Sequence, residues 1–188
     1  MTVVGIDLDD TLSNTSEPLL AIIEASKGRK LGKNEIYGIF YNKLESEDLT
    51  RSEIIEMTHK LWKDYKKIEI LDKRIPEITD RLRSLAKIYI VTFNTSPMIS
   101  EWLNSNSVKY DKLIVCNGTA EKLRKEIGIY VEDSKEVAEF LAENGKKVIL
   151  IEKPWHDGIP KSANIIPARN WGDVERELLR MLSKTSVA

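Results

Sequence analysis

The chain has 188 residues, of which 41% are hydrophobic and 31% charged, enough for one domain with a sizeable core. Its 29 basic and 30 acidic residues leave a net charge of −1, which gives no electrostatic reason to expect a nucleic-acid polymer or a membrane as a partner. No segment approaches the ~20 consecutive apolar residues that a membrane-spanning helix needs.

The chain has one cysteine, Cys116, so an intramolecular disulfide is impossible and a reducing compartment is expected. The first six residues contain no charged segment followed by a long apolar one. We therefore expect no signal peptide and a cytoplasmic location. The oligomeric state is left open, a homodimer included.

Short apolar runs predict five strands, at residues 3–6, 88–91, 113–116, 129–131 and 148–151. Helix signals lie between and after them: Ser96-Pro97 for a helix to about Asn104, Thr119 for one ending near Gly128, Ser134 for one ending at Asn144-Gly145, and Asp173 for one to about Leu182. This alternation predicts an α/β fold with a Rossmann-like three-layer core, in which helices cover both faces of a parallel sheet.

One long stretch, residues 15–73, contains helical patterns and no convincing strand. Thr50-Arg51-Ser52-Glu53 is a capping box that precedes a series of apolar residues at helical spacing. We therefore predict a catalytic core formed by residues 1–14 and 74–188. A small all-helical cap, residues 15–73, is inserted after the first strand.

Three carboxylates, Asp7, Asp9 and Asp10, follow the first predicted strand within four residues. Open parallel sheets bind ligands at the carboxyl ends of their strands. Carboxylates crowded at such a point repel one another unless a cation is bound, and oxygen ligands favour Mg²⁺. Taken alone, the same residues also fit a solvated loop or a helix cap.

The spacing of Asp7 and Asp9 has a mechanical use, because residues two apart in an extended chain point the same way. Asp7 can attack a phosphorus atom as a nucleophile. Asp9 can protonate the leaving alcohol and then deprotonate the water that hydrolyses the aspartyl-phosphate.

Later strand ends carry complementary groups. Thr92 ends the second strand, where a hydroxyl and nearby backbone N–H groups can hold a phosphate, although a threonine there also suits a helix cap. Glu132 and Asp133 end the fourth strand and can complete a Mg²⁺ site or serve a helix N-terminus. A lysine near the start of the preceding helix can neutralise phosphate; Lys122 is the candidate, with Lys112 and Lys125 as alternatives.

Four motifs in order resemble the haloacid dehalogenase (HAD) superfamily of phosphohydrolases: Asp7-x-Asp9-x-Thr11, Thr92, Lys122 and Glu132-Asp133. The resemblance implies that Asp7 is the nucleophile and that Asp9 is the general acid and base, as in the phosphatase branch. It also implies a Mg²⁺ ion held by the Asp7 side chain, the Asp9 backbone carbonyl and Asp133, with Glu132 in the outer shell or as an alternative ligand.

By the same resemblance, the phosphoryl group is bound by Thr92, Phe93, Asn94 and Lys122. Within the superfamily the layout is similar to the 5'(3')-deoxyribonucleotidase group, which has a short chain and a helical cap after the first motif. Phe93-Asn94 departs from that group, where relatives often have a small residue and then arginine. This departure concerns the identity of the substrate rather than the reaction.

Aromatic residues of the cap suit either its small core or contact with a substrate, and Phe40 and Tyr41 are the candidates for contact. The function expected is a Mg²⁺-dependent phosphomonoester hydrolase acting on a small molecule, with (deoxy)nucleoside monophosphates as the first substrate class. The alternatives are sugar phosphates or other small phosphomonoesters, transfer of the phosphoryl group to an acceptor other than water, and a non-catalytic ligand-binding protein of the same fold.

Overall fold

The computed structural model describes residues 1–40, 44 and 46–185. Six parallel strands form one sheet: β1 Val3–Ile6, β2 Lys87–Thr92, β3 Lys112–Val115, β4 Ile129–Glu132, β5 Lys147–Ile151 and β6 Ile165–Ala168. Their spatial order is β3-β2-β1-β4-β5-β6, which places β1 at the centre, paired with β2 and β4.

The helices found among the described residues are α1 Ser16–Lys27, α2 Lys33–Phe40, α3 Arg51–Lys63, α4 Ile75–Arg83, α5 Ile99–Ser105, α6 Thr119–Lys122, α7 Lys135–Glu143 and α8 Trp171–Thr185. Helices α4 and α8 contact the sheet, as does α7. Alternate residues of β1 and β4 belong to two separate core clusters, one with α4 and α8 and the other with α7. The predicted three-layer α/β fold with a parallel sheet is therefore confirmed. None of the helices in the described ranges combines the length and apolar character of a membrane span.

All five predicted strands are present, and the structure adds a sixth, β6, that the sequence analysis missed. Its four residues include Pro167, which pairs with Leu150 of β5. A proline cannot donate to the next strand, so it suits only the edge of a sheet, and a short run containing one is a weak strand signal.

The helix predicted from Thr119 to about Gly128 is wrong in extent, because α6 ends at Lys122. Beyond it the Arg124 N–H donates to the Lys122 carbonyl oxygen at 2.8 Å, a closure too tight for an α-helix. Other helix starts fall within two residues of their signals, and the Ser134 cap and the Thr50 capping box are both present.

Helices α1, α2 and α3 follow β1 directly, within the segment assigned to the cap. Among the described residues of that segment, the only extended pairing is the isolated bridge between Ile70 and Ser13. The limits of the cap at residues 15 and 73 stay a prediction.

Strands β1 and β4 approach each other closely at Gly5 and Tyr130. A Cβ atom at Gly5 would lie 2.9 Å from Cε1 of Tyr130 and 3.1 Å from Cγ2 of Ile127. The buried Tyr130 ring therefore needs a glycine beside it. Its hydroxyl donates to the Lys122 carbonyl oxygen, so this packing fixes the end of α6.

We predict that Gly5→Ala lowers the free energy of unfolding by ~1–3 kcal/mol, because the added methyl group overpacks the layer between β1 and Tyr130. Urea denaturation measures the change. Gly128→Ala is the matched control, since a Cβ there meets nothing within 4 Å and the glycine has no positive φ. Equal stability of the two variants would contradict the packing argument.

Candidate active site

The site lies where the carboxyl ends of three neighbouring strands meet. Asp7 follows β1, Thr92 ends β2, and Glu132 ends β4 with Asp133 next along the chain. The strand order reverses at β1, and open α/β sheets bind ligands at such a switch point. The fold thus brings four of the predicted site residues to one place.

Lys122 lies at the centre of this group. Its Nζ donates to Asp7 Oδ1 at 2.6 Å and to Glu132 Oε1 at 2.9 Å, and all three side chains are buried. Burial by itself lowers the pKa of Lys122, but the charges of the two carboxylates and the hydrogen bonds to them outweigh it, so the pKa lies above its usual value. The ammonium group also lies 4.3 Å from the centre of the Phe93 ring.

The two alternative lysines lie elsewhere. Lys112 begins β3, is exposed, and has its ammonium 5.7 Å from the centre of the Tyr89 ring. Lys125 is exposed in the turn after α6. Of the three candidates, Lys122 is the one that contacts Asp7.

Asp7, Glu132 and Asp133 form a buried acidic cluster, in which each offers an oxygen within 4.8 Å of the others. Glu132 Oε2 is buried and has no hydrogen-bond partner among the described residues. Burial raises the pKa of Glu132 to about 8, against the influence of Lys122 and with that of Asp7. A set of carboxylate oxygens, one of them unsatisfied, fits a hard divalent cation.

The loop after β5 supports this cluster, a role that the sequence analysis did not assign to it. Its Lys153 Nζ donates to the Asp10 carbonyl oxygen. The His156 ring accepts from the Lys153 N–H at Nδ1 and donates from Nε2 to the Asp133 carbonyl oxygen at 2.8 Å. Burial raises the pKa of Asp133 well above its usual value, Lys153 opposes the rise, and neighbouring carboxylates add to it.

Asp9 is held by donors from three separate parts of the chain, the loop before α1, helix α3 and the loop after β2. Its Oδ1 accepts from Thr15 Oγ1 at 2.7 Å, from Trp62 Nε1 at 2.9 Å and, more weakly, from Asn94 Nδ2 at 3.4 Å; its Oδ2 accepts from the same Asn94 nitrogen at 3.1 Å. Burial and the charge of Asp7 raise the pKa of Asp9 to about 6, although the hydrogen bonds lower it. A carboxyl group with such a pKa can both give and take a proton near neutral pH.

The residues predicted to bind phosphate after β2, Thr92 to Asn94, make hydrogen bonds within the protein. Thr92 Oγ1 accepts from the Asn94 backbone N–H at 3.0 Å, which leaves its own hydrogen to donate. The Asn94 side chain contacts Asp9, and its Oδ1 accepts from the Ser96 N–H at 2.9 Å. The side-chain nitrogen and oxygen of Asn94 thus have partners within the protein. The phosphate contacts of Thr92, Phe93 and Asn94 stay predictions.

A cavity of about 190 Å³ lies above these groups. Its floor carries Asp7, Asp9 and Lys122. Its walls come from α1, α2, α3, α7 and the loop after β5, and their apolar members are Leu19, Leu20, Ile36, Phe40, Ile54, Ile55, Val137 and Trp155. The charged floor is therefore flanked by largely apolar walls.

Of the two aromatic residues predicted to contact substrate, the structure describes the position of Phe40. Phe40 lines the cavity, half-buried, with the Arg51 guanidinium 5.3 Å from the centre of its ring. Tyr41 lies outside the described residues. Substrate contact by either residue stays a prediction.

Sequence reasoning missed the contacts that hold Asp9. Trp62 reads as a core residue of the cap, and it is fully buried, but its indole N–H also reaches Asp9 from 53 positions away. Thr15 carries no signal beyond its place near a helix start. A buried tryptophan needs an acceptor for its N–H, which is the one sequence signal that points to a polar partner.

Comparison with known proteins gives a fold and no family assignment. No family model matches the chain, and no curated protein matches it. Its fold is that of solved haloacid dehalogenase-like hydrolases. A protein of that description from Streptococcus pneumoniae aligns with a TM-score of 0.67 over 96% of this chain and 98% of its own, at 16% sequence identity.

Two further structures agree. A predicted phosphoglycolate phosphatase from Haemophilus somnus 129pt aligns with a TM-score of 0.66 at 14% identity, over 94% of this chain and 97% of its own. The HAD-hydrolase YfnB from Bacillus subtilis, bound to magnesium, aligns with a TM-score of 0.63 at 13% identity, over 96% and 98%. Identities this low establish the shared fold alone.

We predict that Lys122→Met lowers the free energy of unfolding by ~3–5 kcal/mol, because it leaves two buried carboxylates without their counter-ion. Lys125→Met is the matched control and is expected to stay within ~0.5 kcal/mol of the wild type. Urea unfolding at neutral pH compares them. A loss at Lys122 no larger than at Lys125 would mean that the buried pair does not carry the stability assigned to it.

Proposed function

We propose that this protein is a metal-dependent phosphomonoester hydrolase that works through an aspartyl-phosphate on Asp7. The observation that carries the proposal is the buried contact between Lys122 and Asp7 at the floor of the cavity, with Asp9 held beside it by three donors. A buried nucleophile with a fixed cation and a separately fixed proton donor is the arrangement that phosphoryl transfer requires.

The proposed reaction has two steps. An Asp7 carboxylate oxygen attacks phosphorus, the bond to the ester oxygen breaks, and Asp9 gives its proton to the departing alkoxide. Asp9 then takes a proton from water as that water attacks the aspartyl-phosphate, which releases inorganic phosphate and restores both carboxyl groups. Lys122 and the Thr92 hydroxyl are the candidates to hold the phosphoryl oxygens.

Asp7 and Asp133 would hold the metal with the Asp9 backbone carbonyl, and Glu132 lies close enough to take part. The bound cation, for which Mg²⁺ is the first candidate, supplies positive charge between the attacking carboxylate and the phosphate, which otherwise repel each other.

Hydrolysis of a phosphate ester is favoured over dehalogenation by the second aspartate. A halide leaves without needing a proton, whereas an alkoxide leaves poorly until it is protonated. Asp9 is a half-buried carboxyl group on the cavity floor, held by donors from three separate parts of the chain, and a dehalogenase would have no use for it.

The cavity walls favour a leaving group with apolar or aromatic surface. We place (deoxy)nucleoside monophosphates first, because a base can pack against Phe40, Tyr37 or Trp155. The volume of about 190 Å³ is below the roughly 300–1,000 Å³ common for drug-sized ligands. A volume this small suits substrates smaller than a nucleotide, so other small phosphomonoesters are the second candidate class.

We predict release of inorganic phosphate when the wild type is incubated with Mg²⁺ and a panel of p-nitrophenyl phosphate, deoxynucleoside monophosphates, sugar phosphates and phosphoglycolate. Asp7→Asn is expected to lose at least ~10³-fold, because the amide is not a nucleophile. An added alcohol acceptor tests for transfer in place of hydrolysis.

Asp80→Asn, an exposed aspartate on α4, is the matched control and should keep full activity. If the wild type hydrolyses no ester of the panel faster than Asp7→Asn does, the proposed function is overturned. Binding of a phosphate ester without turnover would instead favour a ligand-binding protein.

We predict that Mg²⁺ raises the melting temperature of the wild type, because a ligand that binds the folded state alone stabilises it by ~2.7 kcal/mol at a hundredfold excess over Kd. Asp133→Asn is expected to lose the Mg²⁺ shift while melting no lower than the wild type without metal, since it removes one of the mutually repelling charges. Differential scanning calorimetry with and without EDTA measures both. An undiminished shift in Asp133→Asn would place the metal elsewhere.

A further inference from the structure

Trp62 is the contact between the α3 helix of the cap segment and the proton-transferring group of the core. Its Nε1 lies 2.9 Å from Asp9 Oδ1, across 53 positions of sequence. When Asp9 is ionised this hydrogen bond is charge-assisted, which makes it stronger and more directional than one between neutral groups, and the indole N–H can still donate to Oδ1 when Oδ2 carries a proton.

We propose that Trp62 is a positioning residue for proton transfer, which fixes the orientation of the Asp9 carboxyl group so that Oδ2 carries the proton delivered to the leaving group. This inference rests on the proposed function and adds to it a residue outside the four sequence motifs. Trp62 does not touch the reacting atoms in this role; it acts through Asp9.

The choice of oxygen follows from the donors around Asp9. Oδ1 faces the Thr15 hydroxyl, the Trp62 indole and the Asn94 amide, all of which donate to it. A proton on Oδ1 would clash with these donor hydrogens, because a protonated oxygen would itself act as a donor there. Among the described residues, Oδ2 accepts from Asn94 alone, at 3.1 Å, so it keeps room for a proton.

The indole itself has little freedom to turn away. Trp62 is fully buried and packs edge-to-face on Trp102, with ring centres 5.9 Å apart. Trp102 is also fully buried, and its own N–H donates to the Ile68 carbonyl oxygen at 2.8 Å. The tryptophan pair therefore links α3 and α5 rigidly, and the direction of the Trp62 N–H follows from that packing.

The consequence for catalysis depends on the leaving group. An alkyl ester needs Asp9 to deliver a proton as the bond to phosphorus breaks, so a carboxyl group held less firmly, by Thr15 and Asn94 without the indole, slows the reaction. A p-nitrophenyl ester releases a stabilised phenolate that needs little protonation. Loss of the indole N–H should therefore affect alkyl esters selectively.

The test compares kcat/KM of Trp62→Phe and wild type on two esters, p-nitrophenyl phosphate and the best alkyl phosphomonoester of the panel. The constant kcat/KM reports steps up to formation of the aspartyl-phosphate, where Asp9 acts as the acid. We expect a loss of at least ~10-fold on the alkyl ester and at most ~3-fold on the aryl ester. The inhibition constant of inorganic phosphate should stay unchanged, because phosphate binding does not involve the indole.

Trp102→Phe is the matched control. Phenylalanine keeps an aromatic ring against Trp62, so the direction of the Trp62 N–H is retained, and the variant removes a buried indole N–H that donates to a backbone carbonyl and not to Asp9. Any loss should therefore be the same on both esters. If Trp62→Phe does not fold, Trp62→Tyr fills more of the indole volume without a donor at the Nε1 position, and the same comparison applies.

Equal losses on the two esters by an otherwise active Trp62 variant overturn this inference alone and leave Trp62 as a packing residue. Wild-type protein inactive on both esters overturns the proposed function and this inference with it. A selective loss on the alkyl ester, absent from Trp102→Phe, supports the inference.

Discussion

The arrangement of the site depends on one buried cation, the Lys122 ammonium group, placed between Asp7 and Glu132. Two carboxylates buried at the ends of adjacent strands would otherwise face each other in a medium that screens charge poorly. Several features of the fold serve this one contact. Helix α6 stops at Lys122, Tyr130 binds the carbonyl oxygen of that residue, and Gly5 leaves room for the tyrosine ring.

The lysine does not neutralise the site, because Asp133 and Asp10 lie there as well as Asp7 and Glu132. Asp133, Glu132 and Asp10 all have raised pKa values, chiefly because the protein shields them from water, and nearby carboxylates add to the rise at Asp133 and Glu132. The loop after β5 brings Lys153 to the backbone of Asp10, which reduces the repulsion without ending it. A divalent cation bound among these carboxylates would account for their retention in the protein interior, where an unpaired charge is costly.

The cap segment contributes polar contacts as well as apolar walls. Tyr37 of α2 donates to Glu136 of α7 at 2.9 Å, and His59 of α3 lies 3.1 Å from the Thr95 hydroxyl in the loop after β2. Together with the Trp62 contact to Asp9, these bonds tie the position of the cap helices to the geometry of the floor. The cavity walls and the orientation of the Asp9 carboxyl group are thus parts of one packing arrangement, in which a shift of α3 would alter both.

The sequence by itself determined the elements whose signals are local. Apolar runs predict five strands, capping residues such as Ser134 and Thr50 predict helix starts, and strand ends predict that Asp7, Thr92 and Asp133 meet. The tertiary structure alone decided which lysine reaches Asp7, across 115 positions, and which tryptophan reaches Asp9. It also decided where α6 ends and that a proline-containing edge strand completes the sheet. These features depend on contacts between residues far apart in the chain, and the pattern of neighbouring residues carries no record of such contacts.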